Sequence, residues 1–426
     1  MDLKEEFEML EKHKKLKIKF LSAKKLNKNA AFNKKNVSLS DFRQGSIGNC
    51  GLIAALASMS RRTEFLDEIA PKVDYTKEGI KFHFKMYCKG KPVTVTIDDK
   101  LPFLKPNFLD RLFGKHPFLI YARSLQNNNC YLASLFEKAV VKHACFNSYA
   151  RSVGIHQSFV FSMLSNCMSM CRRWKKFRTS KHKQLDGHLM FELANKSSVV
   201  LCVMPDLFCN KAEKKAHAYT VMDYDKKHKA VKLYNPNLRT FLNTDLPLYI
   251  TESVNRSKGE LWITLDQLRG RFISITSLYS KKMYKSIFEI ELKPNAFNKN
   301  NLCLTYNCEF NVEQASKFMI NVFAYTHEIK KVQLDVLTVG TWEKVIESKH
   351  KIREKKKCTH KTCKEFIKGE YYKMFNLKPN RYVFCILLQL RECANVGGPN
   401  VLLKIGSTSE CELVGQLFYP ALNKIL

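Results

Sequence analysis

Apolar residues follow two kinds of pattern in the first half of the chain, one typical of buried helices and one typical of strands. Residues 52–59 are almost all small or apolar, which predicts a helix buried on every side. Residues 80–84 and 93–97 alternate between apolar and polar side chains, which predicts two strands. Residues 132–141 are predicted to form a further helix. This part of the chain therefore mixes helices with strands.

The pattern becomes strand-rich later in the chain. An apolar run at 198–204 predicts a buried strand, and residues 217–222 and 230–234 predict two short strands joined by a polar turn. From about residue 283 nearly every segment is strand-like, with a charged loop at 349–357. Many short strands separated by polar turns favour a β-sandwich. The predicted strands of this tail are 286–292, 318–324, 332–336, 382–388 and 401–405.

The N-terminal stretch has a different composition. Residues 1–30 are rich in Lys and Glu, and the loose spacing of Phe7, Leu10 and Leu16 predicts a short amphipathic helix, followed by a polar linker at 24–35. The stretch lacks the apolar core of a secretory signal, and the chain has no apolar run of about 18 residues, so no membrane span is expected. The 15 cysteines show no framework spacing, which favours reduced thiols in a cytoplasmic protein.

A net charge of +33 predicts attraction to polyanions such as anionic lipid or nucleic acid. Most lysines are spread along the chain, which is typical of a solvated surface, but residues 172–183 and 349–357 form denser basic runs. These runs make an anionic membrane surface a candidate partner. Nucleic acid is not favoured, because no known nucleic-acid module surrounds them. Zinc is not favoured at 358–363, because its Cys and His residues lack a second ligand pair at a suitable spacing.

Residues 44–55 have the features of a nucleophile loop followed by a helix. A glycine-containing loop delivers Cys50 to the start of the apolar helix, whose N-terminus carries partial positive charge and stabilises a thiolate. The side-chain amide of Gln44, six residues earlier, is placed to donate to an oxyanion together with the Cys50 backbone N–H. A buried structural cysteine is the alternative interpretation of Cys50.

Two later residues have the chemistry that a thiol nucleophile needs. His217 begins one predicted strand and Asn235 ends the next, and their separation of 18 residues fits two antiparallel strands joined by a turn. This pairing would bring the Asn235 carbonyl to one ring nitrogen of His217 and leave the other nitrogen for the thiol. A satisfied core histidine and a strand-ending turn residue are the alternatives. The order Cys, His, Asn in these contexts favours a cysteine protease.

The same positions resemble the calpain family of cysteine proteases. Residues 44–55 are similar to the family's signature around the nucleophile, Q-G-x-x-G-D-C-W-x-x-A-A. Together with the later motifs they span about residues 41–273. Those motifs are 97–102, which resemble I-D-D-x-L-P; 135–139, which resemble L-L-E-K-A; 217–219, the end of G-H-A-Y; 235–236, the centre of R-N-P-W-G; and 259–262, which resemble G-E-F-W. In the strand-rich tail, residues 378–382 weakly resemble the P-P-G-x-Y before a strand of the family's C2-like sandwich.

The resemblance implies an α+β fold in which a papain-like two-subdomain protease core is followed by an all-β sandwich. An N-terminal helix and linker would occupy 1–35, and the subdomain with the nucleophile 36–155. The subdomain with the His and Asn would occupy 156–280, and a C2-like β-sandwich 281–426.

The resemblance also implies a role for each candidate residue. Cys50 would be the nucleophile, His217 its base, Asn235 the residue that orients the base, and Gln44 an oxyanion donor. The implied activity is that of a thiol protease, a hydrolase that performs limited proteolysis of protein substrates in the cytoplasm.

Several positions depart from the family's pattern. Asn49 replaces the family's Asp, Gly51 its first Trp and Asn237 its second, so an aromatic shield over the His–Asn pair is missing and a looser pair is expected. The paired glycines that hold the substrate backbone are represented by Gly154 and Ile155, and the Ile155 side chain is expected to crowd the substrate. These departures leave a second interpretation open, a catalytically weak or inactive homologue that acts as a scaffold or binding protein.

Calcium is the cofactor that the resemblance raises, because calpain cores bind a calcium ion in each subdomain through carboxylates and carbonyls. Asp41 and Glu260 match family ligands, but two other ligand positions hold Cys130 and Lys258. A lysine repels the ion, so we expect weak or absent calcium binding in the core. No D-x-D-x-D-G loop occurs near the C-terminus, so no calmodulin-like module is expected.

Overall fold

In the computed structural model the chain forms two compact units, Met1–Tyr279 and Ser280–Leu426. Hydrophobic cores lie within each unit. The described residues are 18–32, 37–71, 73, 75–88, 91–104, 118–124, 127, 129–144, 152–174, 182–194, 197–204, 207, 216–237, 259–268, 271–279, 283–292, 303–324, 328–339, 370–391 and 401–416.

Helices and strands of the first unit occur in mixed order along the chain. Their bounds are α1 Ala23–Leu26, α2 Cys50–Ser60, α3 Thr63–Ile69, α4 Leu132–Ala144, α5 Gln157–Leu164 and α6 His182–Ala194, and a 3₁₀ turn lies at Leu39–Asp41. None of the helices in the described part of the chain is long and apolar enough to cross a membrane.

The largest sheet of the first unit has six antiparallel strands in the order β10-β9-β8-β7-β11-β6. Strand β8 lies between β7 and β9, so the residue that begins β8 is in the middle of the sheet. The strands are β6 Ser169–Trp174, β7 Ser198–Met204, β8 His217–Asp225, β9 Ala230–Tyr234, β10 Glu260–Thr264 and β11 Phe272–Leu278.

Two smaller antiparallel sheets complete the described strands of the first unit. One has the order β1-β4-β5, and the other is the hairpin β2-β3. The strands are β1 Ile18–Ser22, β2 Lys81–Cys88, β3 Lys91–Asp98, β4 Lys100–Leu104 and β5 Phe118–Leu119.

Helix α2 is central to the first unit's core. Residues 51–60 are all buried, as expected for a helix that is apolar on every side. Side chains of the six-stranded sheet also bind its carbonyl groups. Thr220 Oγ1 on β8 donates to the Ala54 oxygen at 2.8 Å, and Ser198 Oγ on β7 donates to the Ser58 oxygen at 3.2 Å. These bonds hold the helix against the two strands.

The second unit consists of two four-stranded antiparallel sheets, ordered β12-β18-β14-β16 and β15-β17-β13-β19. Apolar residues from both sheets form one core, which includes Phe310, Phe318 and Phe384. The strands are β12 Ser286–Leu292, β13 Cys303–Val312, β14 Ser316–Ala324, β15 Glu328–Thr338, β16 Glu370–Leu377, β17 Asn380–Arg391, β18 Val401–Ser407 and β19 Cys411–Gln416.

The predicted elements of both units are confirmed as helices and strands. The exception is the N-terminal stretch, where the linker predicted at 24–35 is wrong for its described part. Residues 18–22 form β1, paired with β4, because the apolar side chains of this short segment join the core. Ala30 and Phe32 are buried in the same core. The amphipathic helix expected around Phe7 lies outside the described residues.

Candidate active site

Cys50 is the first residue of α2, and its thiol is directed at the start of β8. Burial raises the pKa of this thiol, but a hydrogen bond and positive charge from His217, with backbone hydrogen bonds from Ala218 and Gly51, bring it below its usual value. The helix N-terminus favours the thiolate in the same direction. The arrangement therefore suits a thiolate beside an imidazolium.

His217 and Asn235 are brought together by the pairing of β8 with β9. Asn235 Oδ1 lies 2.8 Å from His217 Nε2 and accepts a hydrogen bond from its N–H in the tautomer that leaves Nδ1 for the thiol. The side chains are well covered, since His217 is 6% and Asn235 is 2% exposed. The ring of Tyr219 stands perpendicular to the imidazole, with centroids 4.8 Å apart.

The looser pair expected without the second Trp is not what the structure shows. Asn237, which takes that position, donates its backbone N–H to Asn235 Oδ1 at 2.9 Å. This bond fixes the amide that faces His217. Neighbouring residues such as Tyr219 therefore cover the His217–Asn235 pair and shield it from water without the tryptophan of the family's pattern.

Gln44 lies beside these residues, but its side chain is partly engaged. Its Nε2 donates to the Ile47 carbonyl at 2.5 Å, which leaves the second hydrogen of the amide for another acceptor. The Gln44 backbone N–H donates to the Pro236 carbonyl at 2.8 Å. The loop that precedes the nucleophile is therefore bonded directly to the segment that follows Asn235.

The turn at residues 152–155 lies against the nucleophile loop. The Gly154 N–H donates to the Gly48 carbonyl at 3.2 Å, and Gly154 has a positive φ of 70° that favours glycine. The Ile155 side chain, expected to crowd the substrate, instead packs against the core. The exposed apolar side chain of this turn is Val153, which is 57% exposed.

The two candidate calcium ligands are engaged by protein groups. Asp41 accepts hydrogen bonds from Ser38 and, at 2.6 Å, from the Ser124 hydroxyl. Glu260 forms an ion pair with Lys232 at 2.8 Å. A lysine that contacts a carboxylate competes with a cation for it, so Glu260 in this ion pair does not fit a calcium ion. Within the described residues, no group of three or more His, Cys, Asp or Glu side chains is arranged to hold a metal.

The first basic run is only partly described. Its first three residues belong to strand β6, and Arg172 acts electrostatically on His188 and Glu192, which are buried. Arg172 therefore serves an internal polar cluster. The second basic run, the cysteine–histidine stretch at 358–363 and Lys258 lie outside the described residues.

Comparison with known proteins decides the family. The sequence model for the calpain family of cysteine proteases matches residues 4–242, more than half of the chain. The chain belongs to the calpain family. The matched residues include Gln44, Cys50, His217 and Asn235. The candidate active site therefore lies within the calpain-family protease domain.

Curated relatives agree with this placement of the calpain-family chain. It is 35% identical to Calpain-12 of Mus musculus over 128 residues, which are 30% of this chain and 16% of the relative. It is 33% identical to Calpain-8 of Homo sapiens over 26% of this chain and 14% of the relative. Calpain-13 of Rattus norvegicus is 26% identical over 46% of this chain and 29% of the relative. The matches therefore span less than a third of each relative's length.

Among solved structures, a clostridial cysteine protease is similar over 89% of this chain and 100% of its own chain, with 10% identity and a TM-score of 0.26. A TM-score this low contributes nothing to the argument on the fold.

One residue of the site was not assigned a role from the sequence. Glu137 on α4 is 1% exposed and binds the side chain of Asn49, the residue before the nucleophile, at 2.7 Å. In the sequence it belongs only to the segment that resembles L-L-E-K-A. The signal for its role is a carboxylate among the apolar residues of a predicted helix, because a buried charge needs a partner.

Proposed function

We propose that this chain is a calpain-like cysteine endopeptidase that performs limited proteolysis of protein substrates. The observation that carries the proposal is the contact series from the Cys50 thiol to His217 and from His217 Nε2 to Asn235 Oδ1, at 2.8 Å. A nucleophile, a base and an orienting group are the parts that cysteine proteases require. Family membership adds support, because it was established without reference to side-chain geometry.

In the proposed mechanism the Cys50 thiolate attacks the peptide carbonyl carbon, and the carbonyl oxygen becomes an oxyanion. The backbone N–H of Cys50 and the second amide hydrogen of Gln44 donate to that oxygen. Protonated His217 gives its Nδ1 proton to the leaving amine, and a thioester remains on Cys50. His217 then takes a proton from water, whose oxygen attacks the thioester carbonyl carbon. The C–S bond breaks, the acyl group leaves as the carboxylic acid, and the Cys50 thiolate is restored beside protonated His217.

We further propose the finer architecture that the family implies. The protease core would consist of two subdomains, 36–155 with Cys50 and 156–280 with His217 and Asn235, and the tail 281–426 would be a C2-like sandwich. The two four-stranded sheets of the second unit and their common core support the last assignment. A cytoplasmic location is part of this proposal, supported by the 15 cysteines, whose spacing forms no disulfide framework.

The test is intact-mass labelling with an epoxysuccinyl thiol probe, with and without calcium, beside a Cys50→Ser control. We expect one adduct at Cys50 in both conditions and none in the control. Cleavage of a protein substrate should be lost with the same substitution, while the far-ultraviolet circular dichroism stays unchanged. Retained turnover in Cys50→Ser would refute the assignment of the nucleophile.

A second candidate is a weak or inactive homologue that binds proteins without cleaving them. The observation that favours it is the bond from Gln44 Nε2 to the Ile47 carbonyl, which draws an oxyanion donor away from the position it needs. A folded protein that the probe does not label, yet that binds a partner through this face, would select the second candidate.

An anionic membrane surface remains a predicted partner because of the net charge of +33. Liposome co-sedimentation tests it. Binding should rise with the fraction of anionic lipid and fall as the salt concentration rises. Binding that depends on neither would contradict the prediction.

A further inference from the structure

Glu137 is a buried carboxylate that contacts both the nucleophile loop and the segment 118–124, which lies against that loop. Its Oε1 accepts a hydrogen bond from Asn49 Nδ2 at 2.7 Å, and its Oε2 accepts one from the backbone N–H of Ala122 at 2.5 Å. The side chain is fully covered by protein, so each bond is formed away from water and each lost bond leaves a buried polar group.

The first bond reaches the nucleophile through its neighbour. The carbonyl of Asn49 accepts the backbone N–H groups of Leu52 at 2.9 Å and Ile53 at 3.2 Å, so Asn49 is the N-cap residue of helix α2 and its backbone begins the hydrogen bonding of that helix. Asn49 itself is 0% exposed. A displacement of the Asn49 side chain therefore moves the helix end at which Cys50 begins.

The second bond reaches the loop that carries Gln44. Ala122 belongs to the segment 118–124, and the Ile120 carbonyl of this segment accepts the Ser46 N–H at 2.8 Å. The same carbonyl is so close to Gly45 that a Cβ there would lie 2.0 Å from it. Helix α4 binds Ala122 a second time, because Ser134 Oγ donates to the Ala122 carbonyl at 2.6 Å.

We propose that Glu137 is a positioning residue of the active site, whose carboxylate holds Asn49, and with it Cys50, in register with the loop that carries Gln44. The proposal rests on the function proposed above for Cys50 and Gln44. Glu137 touches neither the substrate nor the thiol. It acts on Cys50 through Asn49 and on the loop of Gln44 through Ala122.

The charge state of Glu137 follows from its partners. Asn49 Nδ2 and the Ala122 N–H both donate to Glu137, so an ionised carboxylate can accept both hydrogen bonds. A proton on either carboxylate oxygen would point at one of these donors. Burial raises the pKa of Glu137 to about 7, against the lowering effect of the bonds from Ala122 and Asn49. Lys138, the next residue of α4, is paired with Asp98 at 2.5 Å, and Asp41 is bound to Ser124.

The departure from the family at residue 49 has a role in this arrangement. The family's Asp would oppose the Glu137 carboxylate with a second acceptor, and the two would have to share a proton. Asn49 supplies a donor instead. Asn49 and Glu137 therefore form a donor–acceptor pair. Exchanging the amide and the carboxylate between the two positions should preserve this hydrogen bond.

The test compares E137L with the exchanged double variant N49D/E137Q, through the rate at which iodoacetamide alkylates Cys50. E137L should be about tenfold slower than the unmodified protein, because Asn49 Nδ2 and the Ala122 N–H both lose their acceptor inside the protein. In the double variant the new glutamine amide donates to the new aspartate, and its carbonyl accepts from Ala122. The rate of the double variant should return to within about threefold of the unmodified protein.

The outcomes separate this inference from the proposed function. A folded E137L with an unchanged rate, or a folded double variant as slow as E137L, overturns the inference. If E137L does not fold, the double variant decides: a folded double variant with a near-normal rate supports the inference, and failure of either overturns it. The proposed function fails by a different result, the absence of turnover in the unmodified protein, which alkylation by a small reagent does not depend on.

Discussion

Gly51 and Ile155 approach each other so closely that a Cβ on Gly51 would lie 2.3 Å from the Ile155 carbonyl oxygen. Gly51 is the residue after the nucleophile, where the family signature has Trp. The backbone of Ile155 occupies the space that any side chain at residue 51 would enter. The departure at Gly51 and the conformation of the turn 152–155 are therefore two parts of one local structure.

Gly51→Ala should destabilise the first unit by about 1–3 kcal/mol, because the added methyl forces the backbone of Ile155 away. Urea unfolding, followed by tryptophan fluorescence, measures the change. The matched control is Gly187→Ala in helix α6, where nothing lies within 4 Å of the added Cβ. There alanine should be neutral or stabilise by about 0.5–1 kcal/mol. Equal effects at both positions would contradict the close contact.

His217→Ala should move the alkylation of Cys50 to higher pH. His217 lowers the pKa of the thiol below its usual value, and without it burial acts in the opposite direction and raises the pKa. The unmodified protein should therefore be alkylated readily near neutral pH, while the variant reacts only in alkaline solution. Mass spectrometry of the Cys50 peptide from about pH 6 to pH 10 gives both profiles. Coincident profiles would show that His217 does not influence the thiol.

Asn235→Ala should lower turnover far more than Asn235→Asp. The Asn235 oxygen fixes His217 at 2.8 Å from Nε2, and aspartate keeps an oxygen at this position while alanine does not. We expect a loss of about 10²-fold for alanine, in line with other orienting groups. Steady-state kinetics on a protein substrate distinguishes kcat from KM, and a change in KM alone would argue against an orienting role.

Prediction from sequence worked best where one local pattern determined one element. The apolar run of α2 and the two short strand-like segments of β8 and β9, joined by a polar turn, predicted the elements that carry Cys50, His217 and Asn235. Strand β1 was missed because five residues inside a lysine-rich stretch give too short a pattern, and its partner β4 lies far along the chain.

Other features of the site depend on partners that no local pattern specifies. Glu137 meets Asn49 across 88 residues of sequence. The engagement of Gln44 by Ile47 depends on the conformation of a loop, and the burial of His217 depends on packing of the sheet. Residue types gave the chemistry of the site, whereas distances and burial required the fold.

Calcium should leave the labelling rate of Cys50 unchanged within about twofold, and a chelator should have no larger effect. The reason is that Lys232 already neutralises Glu260, while Ser38 and Ser124 satisfy Asp41. Isothermal titration of the purified protein with calcium checks the same point. Tight binding would show that ligands elsewhere in the chain compensate for these residues.

The second unit has a buried ion pair whose removal should be costly. Lys404 on β18 pairs with Glu289 on β12, and their side chains are 0% and 4% exposed. Lys404→Met alone should destabilise this unit by about 3–5 kcal/mol, because Glu289 stays buried without a counter-charge. The double variant Lys404→Met with Glu289→Leu should regain most of the loss. Thermal unfolding of the full chain measures both, and a neutral single variant would contradict the pairing.

The hydrogen bond from the Gln44 backbone amide to the Pro236 carbonyl has a consequence for the movement of the site. It joins the chain on the nucleophile's side to the chain on the histidine's side through backbone atoms alone, so truncating either side chain leaves it in place. Any separation of the two sides must break this bond and expose the Gln44 amide to solvent. Deuterium uptake at that one position would consequently report how often the active site opens.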